Sequence, residues 1–271
     1  MSEPDGGTVG KAMTVLDQVA NFGRPVRFSE LLKDSDFPKA TLFRLVQTLT
    51  QQRLLTYDNQ AQTYLPGLRL VQLAHAAWAQ SSLATVAAPY LDELAHKFGE
   101  AVHLAQLENG QVLFIDKRQS VYRFDTLAQT GQVAPAYCTG VGKAILAFMA
   151  PMERDHALRQ QAFVGYTPTT HGAPDSLLQE LDAIRASGVA YDREEHERGI
   201  ISIAAPIMSD DTNVLGAVSI ATSTSRHTIE SLDRFEAVLR STAAQIGSAA
   251  RVWRAPMPAN PSYGNSGGEN S

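Results

Sequence analysis

The stretch FSELLKDSDFPKATLFRLVQTLTQQRLL, residues 28–55, contains two helical segments separated by a short turn. Ser29 is placed to cap a short helix over ELLKDS, and Asp36-Phe37-Pro38 predicts the turn. Pro38 is tolerated in the first turn of the second helix, because the backbone donor that it lacks has no partner there. Apolar residues on this second helix recur at i, i+3, i+4 and i+7, which indicates one buried face. These residues are Leu42, Leu45, Val46 and Leu49.

The opposite face of the second helix is polar and contains no carboxylate. Arg44 can bridge the two acceptors of guanine, Gln47 can pair with adenine, and Ala40 allows close approach to a thymine methyl group. A solvent-exposed surface helix can show the same polarity, so the face alone does not decide between the two interpretations. The order of the surrounding elements favours a DNA-binding unit.

Helical periodicity over residues 9–22 predicts a first helix, with Val9, Met13, Leu16 and Ala20 on one apolar face. After the second half of the opening stretch, two β-prone runs flank the polar segment 58–62, which predicts a hairpin. Helix, helix, turn, helix and hairpin is the order of a winged helix-turn-helix. We predict DNA contacts from this helix and hairpin. The candidate residues are Ser29, Lys39, Ala40, Thr41, Arg44, Gln47, Thr48, Arg53, Gln60 and Gln62.

Composition limits the classes of partner and compartment. The net charge of the 271-residue chain is -5, and residues 1–66 contain seven Lys or Arg and seven Asp or Glu. DNA binding without a net positive charge is expected to be weak unless two copies share one operator. The single cysteine fits a reducing compartment. No signal pattern and no apolar run of about 20 residues is present, so we expect a cytoplasmic protein without a membrane partner.

The remaining sequence predicts a linker and a second domain. We assign residues 8–66 to the winged helix-turn-helix domain and 67–81 to a linker helix. Strand pairs and helices over 82–252, including AVHLAQLENGQVLFIDKR around an Asn-Gly turn, predict an α+β domain with an antiparallel sheet. Residues 255–271 are rich in Pro, Gly, Asn and Ser, and we expect them to be a disordered tail.

Several segments, in this order, resemble the isocitrate-lyase-regulator (IclR) family of bacterial transcription factors. They are VGKAMTVLDQVA, FPKATLFRLVQTLTQQRLL, YLPGLRLVQLA, TGVGKAILAF, LDAIRASGVAYDREEHERGIISIAAPI and VLGAVSIA, which together extend over about residues 8–250. The resemblance implies a winged helix-turn-helix, a linker helix and a GAF-like domain that binds a small metabolite. It also implies homodimers or homotetramers that repress or activate catabolic operons from double-stranded operator DNA.

The same resemblance implies a position for the effector pocket, between the TGVGKA helix start and the strands of GIISIAAP and AVSIA. Relatives contact a small oxo-acid at the positions of Asp192, Ser202 and Ser219, and some have a hydroxyl at the position of Ala221. A glycine-flanked helix start also suits a carboxylate on physical grounds. Ala221 lacks the hydroxyl that some relatives have, and this departure from the family pattern leaves room for a larger or more apolar ligand, such as an aromatic one. The candidate effector-binding residues are Cys138, Gly140, Val141, Gly142, Asp192, Ser202, Ser219 and Ala221.

A metabolite-processing enzyme with the helix-turn-helix as an interaction module is the alternative function. No G-x-S-x-G, H-E-x-x-H, Walker or dinucleotide motif supports it, so we assign no catalytic residue and no cofactor. Nothing in the spacing supplies a base for Cys138, which predicts a packed or pocket-lining thiol.

A metal site is a second alternative for the charged segment YDREEHERG. Asp192, Glu194 and His196, with His171, could hold a metal ion, but a charge run of this kind is typical of a solvated loop, and we assign no metal. His103 is predicted to be a core or sheet residue. Lys143 can either offset a ligand charge or point to solvent.

Overall fold

The computed structural model describes residues 7–80, 82–122, 124–209 and 213–253. The chain divides into two compact units, one ending at residue 81 and the other beginning at residue 82. The predicted tail, 255–271, lies outside the described residues. Among the helices of the described chain, none combines the length and apolar character needed to cross a membrane.

The N-terminal unit is a winged helix-turn-helix, as the order of sequence patterns predicts. Its elements are α1 (Gly7–Asn21), β1 (Val26–Arg27), α2 (Phe28–Lys33), α3 (Lys39–Gln51), β2 (Leu55–Asp58), β3 (Thr63–Pro66) and α4 (Leu68–Gln80). The three strands form an antiparallel sheet in the order β1-β3-β2. The short strand β1, which the sequence patterns did not predict, joins the hairpin to the start of α2.

The buried face of α3 is the predicted one, whereas only Leu16 of the four residues predicted for the α1 face is buried. Leu42, Leu45, Val46 and Leu49 are all buried in the core of the N-terminal unit. On α1 the buried residues are Val15, Leu16 and Val19, while Val9 is 76% exposed and Met13 is 46% exposed. The contacts of α1 with α3 and β3 select a face with Val15 and Val19, which shares Leu16 with the predicted face.

The start of α2 also differs from the prediction. Arg27 is the N-cap residue, and its backbone N–H donates to a carboxylate oxygen of Glu30 at 2.9 Å. Ser29 lies inside the first turn, where its side chain is exposed. The predicted Ser29 cap is therefore wrong, because α2 begins one residue before the serine. Pro38 is the N-cap of α3, and its carbonyl oxygen accepts from the backbone N–H of Leu42 at 3.0 Å.

The C-terminal unit is an α+β domain built on an antiparallel sheet, as predicted. Its elements are α5 (Ser82–Phe98), β4 (Ala101–Glu108), β5 (Gln111–Arg118), β6 (Val133–Pro135), α6 (Gly140–Phe148), α7 (Pro151–Arg159), α8 (Pro174–Ser187), β7 (Ala190–Arg193), β8 (Ile200–Met208), β9 (Val214–Ser223) and α9 (Asp233–Trp253). Six strands pair in the order β6-β5-β4-β9-β8-β7. The sequence patterns did not predict β6, β7 or α7.

The sheet separates two apolar cores, so the unit has three layers. One core contains side chains of α5 and α9, and the other contains side chains of α6, α7 and α8. Strand β8 shows why, because Ile201 and Ile203 belong to the first core whereas Ser202 and Ala204 face the other side. Small residues on that second face allow the glycine-rich start of α6 to approach the sheet.

Two glycine positions end predicted elements as expected. Asn109 and Gly110 join β4 to β5 with φ of 50° and 76°, the left-handed conformations of a tight hairpin turn. Gly188 ends α8 with φ of 83°, and its N–H donates to the carbonyl oxygen of Ile184 at 2.7 Å.

Candidate functional site

The polar face of α3 is available to a partner. Ala40, Arg44, Gln47 and Thr48 are exposed, and Lys39 is exposed at the first position of the helix. The Thr48 hydroxyl donates to the backbone carbonyl oxygen of Arg44 at 2.9 Å, which holds the threonine against its own helix. Arg44 and Gln47 are long, exposed side chains on this face with groups able to read base edges.

The hairpin adds a second polar surface to the N-terminal unit. Asp58 accepts at one carboxylate oxygen from the backbone N–H groups of Gln60 and Ala61, at 2.8 and 3.1 Å, which fixes the hairpin turn. Gln60 and Gln62 are exposed, and Gln62 has a left-handed φ of 54°. Of the remaining candidates, Arg53 is exposed after α3 and Thr41 is half-buried on α3. Ser29 is exposed on α2, outside both surfaces.

The C-terminal unit contains a cavity of about 40 Å³ between the start of α6 and the sheet. Its lining residues are His103, Phe114, Thr126, Ala128, Thr139, Gly140, Val141, Asp192, His196, Glu197, Ile200, Ser202, Ser219 and Ala221. The structure thus brings together six of the eight candidate effector-binding residues. The two candidates that do not line the cavity are Cys138 and Gly142.

Strand register explains how the cavity floor is assembled. Ser202 on β8 lies opposite Ala221 on β9 and opposite Asp192 on β7. Ser219, two residues before Ala221 on β9, lies opposite His103 on β4. Directly opposed residues present their side chains on the same face. Residues far apart in the chain therefore form one polar floor beneath α6.

The start of α6 forms the other wall. The Thr139 hydroxyl oxygen accepts from the Gly142 N–H at 3.2 Å, and the hydroxyl donates to the carbonyl oxygen of Pro135 at 3.1 Å. Gly140 and Val141 line the cavity, and the first N–H groups of an α-helix have no partner within the helix. This wall is thus suited to an anionic or carbonyl oxygen.

Cys138 and Gly142 take part in packing and do not line the cavity. A Cβ on Gly142 would lie 2.3 Å from the carbonyl oxygen of Ala136, so only glycine allows α6 to pack on the preceding turn. Cys138 is fully buried in the apolar core on this side of the sheet, and burial raises the pKa of its thiol. The packed-thiol interpretation therefore describes Cys138.

Four cavity residues from outside the resembling segments were missed by sequence reasoning: His103, Phe114, Thr126 and Ala128. His103 Nε2 lies 3.2 Å from the Thr126 hydroxyl, and its Nδ1 lies 3.5 Å from the Ser219 hydroxyl. Burial lowers the pKa of His103 to about 3, so the ring is neutral. No sequence signal brings residues 126–128 to the sheet, because the contact is entirely tertiary.

Asp192 is the strongly perturbed acid of the cavity. Burial and the nearby Glu195 carboxylate raise the pKa of Asp192 to about 7. One Asp192 carboxylate oxygen accepts from the Glu195 backbone N–H at 2.8 Å. Among the described residues that line the cavity there is no lysine or arginine. The cavity therefore offers a ligand backbone N–H groups and neutral polar side chains, beside two acids, Glu197 and an Asp192 that can stay protonated.

A buried ionic cluster lies behind the cavity wall. Lys143 on α6 is fully buried, and its Nζ pairs with carboxylate oxygens of Glu180, at 2.9 Å, and Glu195. Arg193 pairs with the same Glu180 oxygen at 2.9 Å. Both interpretations of Lys143 are thus wrong, because it neither lines the cavity nor points to solvent.

The solvated-loop interpretation of YDREEHERG is wrong for residues 191–193, which belong to β7, and for the buried Glu195. Pairing of β7 with β8 turns Asp192 inward, and Glu195 in the turn that follows is buried against Lys143. The proposed metal set of Asp192, Glu194 and His196 does not come together as one group with His171. Within the described residues, the group with metal-ligand spacing contains His171, Glu180 and Glu195.

Two family models match the chain. The model of the IclR helix-turn-helix domain matches residues 8–59. The model described as bacterial transcriptional regulator IclR C-terminal matches residues 75–248, which is more than half of the chain.

Comparison with individual proteins gives similar results. The HTH-type transcriptional regulator XynR of Escherichia coli (strain K12) is 26% identical over 81% of this chain and 87% of that protein. The crystal structure of IclR from Thermotoga maritima aligns with a TM-score of 0.75 at 25% identity, over 90% of this chain and 98% of that one. An IclR homolog from Microbacterium hydrocarbonoxydans, complexed with 4-hydroxybenzoate, aligns with a TM-score of 0.78 over 91% of this chain and all of that one. Its identity of 22% shows the fold alone.

Proposed function

The chain belongs to the IclR family of bacterial transcriptional regulators, and we propose that it binds operator DNA and responds to a small organic acid or related metabolite. The family and the curated relatives are regulators of transcription and not enzymes, which removes the enzyme alternative. The observation that carries this proposal is that one chain has both an exposed polar face on α3 and a polar cavity in its C-terminal unit.

For DNA, we assign base reading to the exposed face of α3. Arg44 and Gln47 face the edges of bases in the major groove, and Ala40 permits close approach. Lys39, Thr41 and Arg53 contact phosphates, Thr48 flanks the base-reading face, and the hairpin residues Gln60 and Gln62 contact the backbone or the adjacent minor groove. Ser29, exposed on α2, is a further phosphate contact. This assignment is supported by the exposure of these side chains, all of which are exposed except the half-buried Thr41.

For the effector, we assign the cavity beneath α6. At about 10–15 Å³ for each water molecule, a cavity of about 40 Å³ holds only a few waters. An aromatic acid such as 4-hydroxybenzoate, which a homolog of the same fold binds, requires part of the wall to move. A two-state response requires an effector that binds the rearranged state more tightly than the original one.

For the response, we propose that effector binding changes the spacing of two recognition helices in a homodimer or homotetramer. The helices then fit, or no longer fit, half-sites separated by one or more turns of DNA. The N-terminal part of the chain has no net positive charge, which supports binding in pairs. We place this regulator in the cytoplasm, at a catabolic operon, as a repressor or an activator.

The first test is binding to the DNA upstream of the protein's own gene. We expect Arg44→Ala to abolish specific retardation of this fragment, because a lost bidentate base contact costs about 1–3 kcal/mol and a phosphate-screening charge is lost with it. The matched control is Arg159→Ala, which removes an exposed arginine from α7 in the other unit. A normal footprint of the Arg44 variant would show that the recognition face is wrongly assigned.

The second test addresses the cavity. Thermal-shift screening of small aliphatic and aromatic carboxylic acids should identify a stabilising compound, and we expect Ser202→Ala to weaken that stabilisation while DNA retardation without the compound stays normal. The Ser202 hydroxyl lines the cavity close to Gly140, so its loss changes the site with little loss of volume. Ser225→Ala, a change at an exposed serine in the loop after β9, is the control. An unchanged response in Ser202→Ala would argue against this cavity as the effector site.

A further inference from the structure

His171, Glu180 and Glu195 converge outside the effector cavity. One ligand atom from each lies within 4.8 Å of the other two. His171 Nε2 is 2.6 Å from one carboxylate oxygen of Glu180 and 3.8 Å from one of Glu195. We propose that these three side chains bind a divalent transition-metal ion. The proposal stands apart from the function argued above, because none of the three residues lines the cavity.

Each of the two glutamates pairs with cations through one carboxylate oxygen and turns the other oxygen toward His171. Lys143 pairs with Oε1 of both glutamates, and Arg193 pairs with Oε1 of Glu180. Oε2 of each glutamate faces His171 instead. Glu195 is only 2% exposed, and its Oε2 has no hydrogen-bond partner among the described residues. A buried carboxylate oxygen without a partner costs free energy, and a bound cation removes that cost.

The imidazole of His171 is oriented as a metal ligand. The Ser176 hydroxyl donates to the carbonyl oxygen of Ala173 at 3.0 Å, so its oxygen accepts from Nδ1–H of His171 at 3.1 Å. With the proton on Nδ1, the Nε2 lone pair faces two carboxylate oxygens, whereas an Nε2 that carries a proton donates to Glu180 Oε2. The first arrangement requires either a second proton or a metal ion between them. Metal-ligating histidines commonly donate their other ring N–H to an acceptor in this way.

The donor set selects the class of ion. One imidazole nitrogen and two carboxylate oxygens suit Zn²⁺, Co²⁺ or Mn²⁺, whereas Ca²⁺ and Mg²⁺ prefer oxygen ligands alone. The His171 and Glu180 side chains are 17% and 19% exposed, which leaves an entry path and room for a water ligand. Lys143 and Arg193 already offset the carboxylate charges, so we expect weaker affinity than that of an all-cysteine zinc site.

The ion would join three segments of the C-terminal unit: the loop before α8, α8 itself and the turn after β7. Hydroxyl groups already connect the first and third segments, because Thr167 donates to the Glu194 carbonyl oxygen and Thr170 to that of Glu195, each at 2.6 Å. The turn continues into His196, which lines the effector cavity. A metal at this position would therefore stiffen one wall of that cavity.

Titration of the full-length, tag-free, EDTA-treated protein with Zn²⁺ and Co²⁺ tests the site. Calorimetry should give one ion for each chain, and Co²⁺ should produce the intense visible absorption of a four- or five-coordinate site. We expect His171→Gln to remove both signals. The control is His156→Gln, which removes an exposed histidine of α7 and should leave both signals intact.

A second variant keeps the three ligands and changes only their support. Ser176→Ala removes the acceptor of the His171 Nδ1–H, and we expect affinity for Zn²⁺ to fall about 10–100-fold, as for other supporting residues of metal sites. Equal binding by wild type and His171→Gln would overturn the proposal. A proton that remains on His171 Nε2 in nitrogen NMR spectra after one equivalent of Zn²⁺ would overturn it as well.

Discussion

Burial determines the protonation states of Asp192 and His103 in the cavity. Asp192 is held close to half-protonation near neutral pH, whereas burial keeps His103 neutral well below it. Neither value follows from residue type, since an exposed aspartate is ionised and an exposed histidine partly protonated at these pH values. The two groups therefore give opposite pH dependences of stability, which a comparison of variants can separate.

Asp192→Asn should change the pH dependence of unfolding. The native protein retains the Asp192 proton up to about pH 7, whereas the unfolded chain loses it near its ordinary pKa of 3.8. Between these values the native state binds more protons, so the free energy of unfolding falls as pH rises, by up to about 4 kcal/mol. Asparagine can accept the same Glu195 N–H but has no ionisable proton. Denaturant titrations from pH 4 to pH 8 should therefore show this fall in wild type relative to the variant.

The comparison has an internal check. Other groups, including His103, titrate in both proteins, so only the difference between wild type and Asp192→Asn reports on Asp192. Parallel stability curves for the two proteins would show that this carboxyl group has an ordinary pKa.

At the scale of elements, α6 is positioned by its glycines and its cap. Thr139 caps the first turn, and the absence of side chains at Gly140 and Gly142 allows contact with the sheet and with the preceding turn. A Cβ at Gly140 would lie 2.7 Å from the Ser202 hydroxyl, which can move, while a Cβ at Gly142 would meet rigid backbone. The two glycines therefore have different roles, one in the site and one in the packing.

Gly142→Ala should destabilise the C-terminal unit. The added methyl group would lie 2.3 Å from the Ala136 carbonyl oxygen, so α6 must shift, at a cost of about 1–3 kcal/mol. The control is Gly165→Ala, since a Cβ there meets nothing within 4 Å. Thermal unfolding of both variants would measure the difference. Equal melting temperatures would show that α6 does not need the glycine.

The buried faces of the helices and the positions of the strands were predicted with unequal success. The predicted stripe of α3 is buried, whereas on α1 only Leu16 of the predicted face is buried, and the contacts with α3 and β3 select Val15 and Val19 in addition. The strand β7 was missed because its charged residues resemble a solvated loop. The sheet accepts Asp192 because the Glu195 backbone N–H donates to its carboxylate, and the turn after β7 accepts the Glu195 side chain because Lys143 pairs with it.

At the scale of the whole molecule, the two units have separate apolar cores. The core of the N-terminal unit includes Leu42, and one core of the C-terminal unit includes Phe235, both fully buried. A regulator benefits from this division, because a conformational response in one unit need not unfold the other.

Large-to-small substitutions should act on one unit at a time. Leu42→Ala is expected to cost the N-terminal unit about 2–5 kcal/mol, and Phe235→Ala to cost the C-terminal unit about 3–5 kcal/mol. Hydrogen exchange followed by mass spectrometry should show faster exchange in α1 to α3 for the first variant and in β8 and α9 for the second. Faster exchange throughout the chain in either variant would indicate that the units unfold together.

The sequence by itself determined most of the local elements, except β1, β6, β7 and α7, together with the winged helix-turn-helix order and the antiparallel α+β unit. Periodicity, turn residues and helix stops act over a few positions, so the sequence alone reveals them. Only the tertiary structure decided that Asp192 meets Ser202, that His103 lies beside Ser219, and that Lys143 is buried between two glutamates. The physical reason is that a polar group can be buried only where distant residues supply its hydrogen bonds and countercharges, and those partners exist only after the sheet has formed.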